Sequence, residues 1–181
     1  MHEYWLGENS AFGSNVRETL ISPLELAMDR NDSICVVSHS LGTMIAYDTF
    51  WKFSYMSEYR SRGYDKKTID LFITTGSPLA DDTIREKLKG ARAKADRQYP
   101  ANLKKWVNIA AEDDFVAHDQ KLAGDYQYMT RNNMIQSISD TRIFNLSLRK
   151  HKTGDGLTAN QHHGTGYLIH PKTIETIASW L

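Results

Sequence analysis

The segment Ser38-His39-Ser40-Leu41-Gly42 carries the most specific chemical signal in the chain. A serine hydroxyl becomes a useful nucleophile only when a neighbouring base takes its proton. Ser40 has a small residue two positions before it and another two positions after it, the spacing of a tight turn between a strand and a helix. Crowding across such a turn predicts that Ser38 and Gly42 must both be small. The turn would lift Ser40 Oγ clear of a sheet and aim the first helical N–H groups, that of Leu41 among them, at a nearby oxyanion. Serine is also a preferred helix N-cap, so position alone does not make Ser40 a nucleophile. The small–x–Ser–x–small spacing, the apolar run before it and two later groups of partners weigh for the nucleophile.

The first group of partners is Glu112, Asp113 and Asp114, just after the apolar run Trp106–Ala110. An acidic run is by itself a solvated turn; beside a histidine it supplies a carboxylate to orient the ring. The second group is His162-His163, ahead of Gly164-Thr165-Gly166-Tyr167. Imidazole, with an ordinary pKa near ~6.5, takes and returns a proton at neutral pH. One histidine of the pair is expected to be a plain surface residue. His39, His118, His151 and His170 have weaker claims; His39 is expected to pack beneath the turn, and His170-Pro171 reads as a helix start. No His-x-x-x-His or Cys-x-x-Cys spacing falls on a predicted element, and adjacent His162 and His163 make a poor chelate, so no metal site is expected. No phosphate-cradling or dinucleotide Gly-rich loop is present, and no cofactor is expected.

Short β-rich runs alternate with helix-like stretches, which predicts an α/β domain: a mainly parallel sheet flanked by helices over the single span 1–181. A first helix is predicted over 15–30, capped by Asn15 and kinked or broken near Ser22. Strands are predicted at Ile34–Ser38, Ile69–Thr75, Trp106–Ala110 and Thr141–Leu146, the last half-buried or near an edge. Helices are predicted over 42–57, Asp81–Lys89 and Pro171–Leu181, with surface helix and loop over 91–105 and a loop over 150–166. Ser40, the acidic trio and the histidine pair all follow a predicted strand, where open parallel sheets bind ligands.

Read together, four segments resemble the α/β-hydrolase superfamily, its lipase- and esterase-like members in particular. ICVVSHSLGTMIAYD (Ile34–Asp48) resembles their nucleophile elbow, with Ser38 in place of the first glycine of Gly-x-Ser-x-Gly. LFITTGSPL (Leu71–Leu79) resembles the following strand and loop, WVNIAAEDDFV (Trp106–Val116) the acid-bearing strand, and NQHHGTGYL (Asn160–Leu168) the histidine segment. The resemblance implies Asp114 as the acid, since it precedes Phe115-Val116 where relatives have Pro-Val, with Asp113 second. It implies His162 as the base, with His163 its rival, and Leu41 N–H as oxyanion donor. The expected activity is hydrolysis of a small-molecule or lipid ester, or a thioester, through an acyl-enzyme on Ser40. Family hydrolases have an eight-stranded sheet and a second oxyanion donor from an early loop that often contains His-Gly. Here no His-Gly precedes Ser40, so a truncated hydrolase-like core is expected, lacking the N-terminal part of the sheet. That leaves Ile34–Val37 as an apolar edge, covered by a second copy in a homodimer or by Met1–Gly13. The alternative is a hydrolase-like protein of little activity that works as a binding or interaction module.

Bulk properties narrow the partners. Lysine plus arginine equals aspartate plus glutamate, 22 against 22, which gives no electrostatic reason to expect nucleic acid. The single cysteine, Cys35, lies in an apolar run and reads as a small buried hydrophobe. No apolar stretch is long enough to span a bilayer, and Met1-His2-Glu3-Tyr4 is not a signal peptide, so the expected location is cytoplasmic.

Overall fold

A computed structural model of the chain describes residues 11–150 and 156–181. Four strands, β1 (Cys35–His39), β2 (Ile69–Thr75), β3 (Leu103–Ala111) and β4 (Ser137–Ile143), form one all-parallel sheet in the order β1-β2-β3-β4. Helices flank it, so the fold is α/β. β2 is buried along nearly its whole length, as a central parallel strand with covered faces must be. β1 and β4 are the edges, and β4 is largely exposed.

Alternation along the strands sorts side chains to two faces. Val36, Phe72 and Trp106 turn to the larger core, which Ile21, Leu24 and Met28 of α1 (Ala11–Arg30) and Met44, Tyr47, Phe50 and Phe53 of α2 (Leu41–Tyr55) complete. Leu71, Ile73, Ile109 and Ile143 turn to a smaller core, closed by Tyr167 and by the half-buried Ile177 and Trp180 near the C-terminus. A buried polar chain ties the strands in register: Trp106 Nε1 donates to Thr74 Oγ1, which donates to Asn108 Oδ1, and Asn108 Nδ2 donates to Asp140, each at 3.0 Å.

Between the strands lie α3 (Ser57–Arg60), α4 (Asp82–Arg85), α5 (Leu122–Asp125) and α6 (Gln127–Arg131), with α7 (Gly164–Leu168) and α8 (Pro171–Ala178) closing the chain. A separate antiparallel hairpin pairs β5 (Leu148–Lys150) with β6 (Leu157–Ala159).

Several predicted elements are corrected. α1 starts before Asn15 and runs through Pro23 without a break. Pro23 and Thr19, whose carbonyl loses its helical donor, both face water, so solvent satisfies what the proline removes. The Asp81 cap holds, with Oδ1 accepting from Thr83 N at 2.7 Å and Ile84 N at 3.3 Å, but regular helix ends at Arg85. β3 begins at Leu103 because Lys104 and Lys105, charged but half-buried or exposed, still pair along the ladder. β4 ends at Ile143; Phe144 and Leu146 are apolar yet exposed, and hydrophobicity there misplaced the strand. α5 and α6 fall between the third and fourth predicted strands, where no helix is predicted, and β6 and the start of α7 fall in the loop predicted over 150–166; each is too short to show a period. Edge strand β1 is less exposed than its composition suggested: Ile34 and Val36 are buried, Cys35 and Val37 half-buried. Of Met1–Gly13, expected as the alternative cover for this edge, Met1–Ser10 lie outside the described residues. No described helix is long and apolar enough to cross a membrane.

Candidate active site

The strand-to-helix turn after β1 places Ser40 at φ 54°, ψ −128°, backbone that a non-glycine residue adopts only under constraint. The constraint is visible in its bonds. Ser40 N donates to Thr75 O at 3.0 Å, continuing the ladder to β2. Ser40 O accepts from Thr43 N at 3.0 Å and from Thr43 Oγ1 at 2.7 Å. Buried Ser77 supports that threonine from the next loop, donating to Thr43 Oγ1 at 2.9 Å and accepting from Leu79 N at 3.2 Å. Leu41 opens α2, so its N–H has no acceptor inside the helix. One expectation about this turn is overturned. A Cβ at Gly42 would meet nothing within 4 Å among the described residues, so crowding does not require glycine there.

The three groups singled out from the sequence converge on this turn. His162 Nε2 lies 2.8 Å from Ser40 Oγ. His162 Nδ1 lies 3.0 Å from both oxygens of Asp114. The Asp114 side chain is fully buried and the His162 side chain 17 % exposed, so the array is sealed at the acid end and open at the serine end. Of the rivals, Asp113 is exposed at φ 62° in the turn that lets the chain double back to Asp114, and His163 is exposed at the N-cap of α7. Neither joins the array.

The acid is held by more than the histidine. Val116 N and Ala117 N donate to Asp114 Oδ1 at 2.9 and 3.3 Å, and the Tyr167 hydroxyl donates to Oδ2 at 2.6 Å. Tyr167 in turn accepts from Ala111 N at 2.8 Å. The loop bearing His162 is clamped by Asn145, whose Nδ2 donates to the carbonyls of Gln161 and His163 at 2.9 and 3.0 Å. A Cβ on Gly166 would fall 1.9 Å from Asn145 Oδ1, so only glycine lets α7 pass beside the clamp.

Beneath the array sits Gly76, at φ +54°. An added Cβ would be 3.1 Å from Asp114 Oδ2, from His162 Nδ1 and from His39 Nε2 alike. His39 does pack beneath the turn: its ring centroid is 4.7 Å from that of His162 and 5.6 Å from that of Tyr167. Burial first, then the neighbouring His162, push the His39 imidazole below its ordinary range. It therefore sits as a neutral ring, and its Nε2 is buried without a hydrogen-bond partner. On the open side, Phe115 is 78 % exposed and its ring lies 5.6 Å from the His162 ring.

Sequence reasoning brought Ser40, Asp114 and His162 to one point but gave no role to Tyr167, Asn145 or Gly76. Each acts through partners far away in the chain; the Tyr167 bonds span 53 and 56 residues. Comparison of the chain with protein-family models, with curated proteins and with solved structures found no match.

Proposed function

We propose that the protein is a serine hydrolase of carboxylic ester or thioester substrates, built as an α/β-hydrolase-like core with Ser40, His162 and Asp114 as its catalytic triad. The observation that carries the reading is the unbroken contact from Ser40 Oγ through both nitrogens of His162 to buried Asp114. His162 Nδ1–H donates to the carboxylate, which leaves Nε2 bare to accept the serine proton.

In this reading Ser40 Oγ attacks the acyl carbon as its proton passes to His162 Nε2. Asp114 stabilises the imidazolium, and Leu41 N–H bonds the oxyanion. Collapse of the tetrahedral adduct breaks the acyl–oxygen or acyl–sulfur bond, and His162 returns the proton to the departing alcohol or thiol. Water then repeats the sequence on the acyl-serine and regenerates Ser40. Exposed Phe115 against the imidazole supports an apolar group beside the reacting carbonyl.

Nitrophenyl esters of short and medium acyl chains test the reading. Turnover by the wild type and its loss in Ser40→Ala is the expected result. Equal rates in the two proteins would remove the triad from the reaction and favour an interaction module. For the side of β1 that no strand among the described residues pairs, we propose a second copy of the chain as partner; a monomer by light scattering at micromolar concentration would reject it.

A further inference from the structure

Tyr167 is wholly buried in the helix that follows His162, and its hydroxyl has a defined set of partners. A phenol has a single proton to donate. The Ala111 N–H occupies an acceptor position of the oxygen at 2.8 Å, and the phenolic proton goes to Asp114 Oδ2 at 2.6 Å. Asp114 Oδ1 is already taken by two backbone N–H groups, and His162 Nδ1 faces both oxygens. Donors thus surround the carboxylate, and a proton on either oxygen would have to displace one of them. Burial first, then Asp114 beside it, push the Tyr167 phenol well above its ordinary range, so it remains a donor throughout the pH range in which histidine titrates.

We infer that Tyr167 is a positioning residue whose hydroxyl fixes the Asp114 carboxylate and, through it, sets the hold of Asp114 on His162. The inference rests on the triad reading of Ser40, His162 and Asp114. A hydrogen bond to a carboxylate spreads its charge and weakens it as a base. A carboxylate relieved of that bond stabilises the neighbouring imidazolium more. The titratable groups against His162 are Asp114 after β3 and His39 at the end of β1, with His163 next in the chain; Tyr167 in α7 touches Asp114 and His39 and reaches His162 through them. His39 is held neutral, so Asp114 is the charge that Tyr167 can adjust.

The test follows the His162 imidazole NMR signals across pH in wild type, in Tyr167→Phe and in protein with 3-fluorotyrosine at position 167. Loss of the hydroxyl is expected to move the His162 profile to higher pH by about half a unit or more, and the more acidic fluorinated phenol to move it to lower pH. Thr173→Val is the structural control. It removes the 2.7 Å bond from Thr173 Oγ1 to the Tyr167 carbonyl and leaves the phenol untouched, so its profile should match the wild type. Unmoved profiles in both Tyr167 proteins would overturn the inference, as would a displacement in Thr173→Val equal to that in Tyr167→Phe. If Tyr167→Phe fails to fold, the direction of the fluorotyrosine shift decides. No reaction is read, so a moved profile with an inert Ser40 would reject the hydrolase reading and leave this one standing.

Discussion

Asp70 and Asp114 stand at opposite ends of the sheet and are built from the same parts. Each accepts a backbone N–H and faces a basic side chain: Asp70 takes Ile34 N at 2.8 Å and Lys104 Nζ at 2.5 Å, and Asp114 takes Val116 N at 2.9 Å and faces His162. Asp114 also takes Ala117 N and the Tyr167 hydroxyl, and it differs further in its exposure to water. The Asp70 and Lys104 side chains are 22 % and 44 % exposed, so solvent and salt screen the pair. Asp114 is fully buried, and its partners exclude water from all but the serine end of the array. The half-buried carboxylate braces the point where the chain enters the sheet. The buried one holds an imidazole in a single orientation beside a strained serine. A backbone N–H beside a basic side chain thus serves the fold where it is wet and, with Ala117 N and the Tyr167 hydroxyl added, the site where it is dry.

The comparison breaks most visibly at the two acids themselves. Asp114→Asn is expected to cut ester turnover by ~10³–10⁴-fold, since the amide no longer holds His162 with its proton on Nδ1. Asp70→Asn should leave turnover near the wild-type value. Steady-state rates on one ester measure both; a similar loss in the two variants would erase the distinction.

Gly76→Ala sharpens the buried side. Three polar atoms 3.1 Å from the new methyl and the positive φ both oppose it. A stability loss of ~1–3 kcal/mol in urea unfolding and a fall in turnover of ~10–10²-fold are expected. Asn145→Ala should act more mildly. Freeing the carbonyls that bracket His162 is expected to lower turnover about tenfold, read best as kcat with KM little changed.

His39 gives the buried end a pH signature. Its folded imidazole lies below the ordinary range, whereas in the unfolded chain it protonates near ~6.5. The unfolded state therefore binds more protons as pH falls through that value, and stability drops with it. Urea midpoints should fall more steeply below pH ~6.5 in the wild type than in His39→Asn; equal slopes would show that His39 is not held neutral.

The smallest effect belongs to the exposed end. Partial burial pushes the Asp70 carboxyl up, but the hydrogen bond and charge of Lys104 and the Ile34 N–H together outweigh it and hold the group below its ordinary range. The stability it adds is present above the ordinary carboxylate pKa and is lost as pH falls toward the lowered one. Asp70→Asn should cost about 1 kcal/mol or less near neutral pH, and less still at high salt.

How much of this was legible follows from distance along the chain. The turn at Ser40 is a local motif, and the apolar runs that became β1, β2 and β3 are contiguous, so the sheet and the strand-to-helix turn could be read directly. The choice of Asp114 over Asp113, and of His162 over His163, came from resemblance and agrees with which side chains the fold brings together. Tyr167 and Asn145 carried no local sign, because their targets are set by strand register and by the path of the chain after β4. Gly76 likewise carried no local sign of its place, which only the packing of three side chains over it reveals. Helices of four or five residues, α5 and α6, are too short to print a period.

The central claim is that burial of Asp114 and its contact through His162 make Ser40 reactive. A fluorophosphonate probe followed by intact mass tests it most directly, on the folded wild type beside Ser40→Ala. The account predicts a single adduct on the wild type that is absent from Ser40→Ala. A folded wild type that takes up no probe, or an adduct that persists without Ser40, would contradict it.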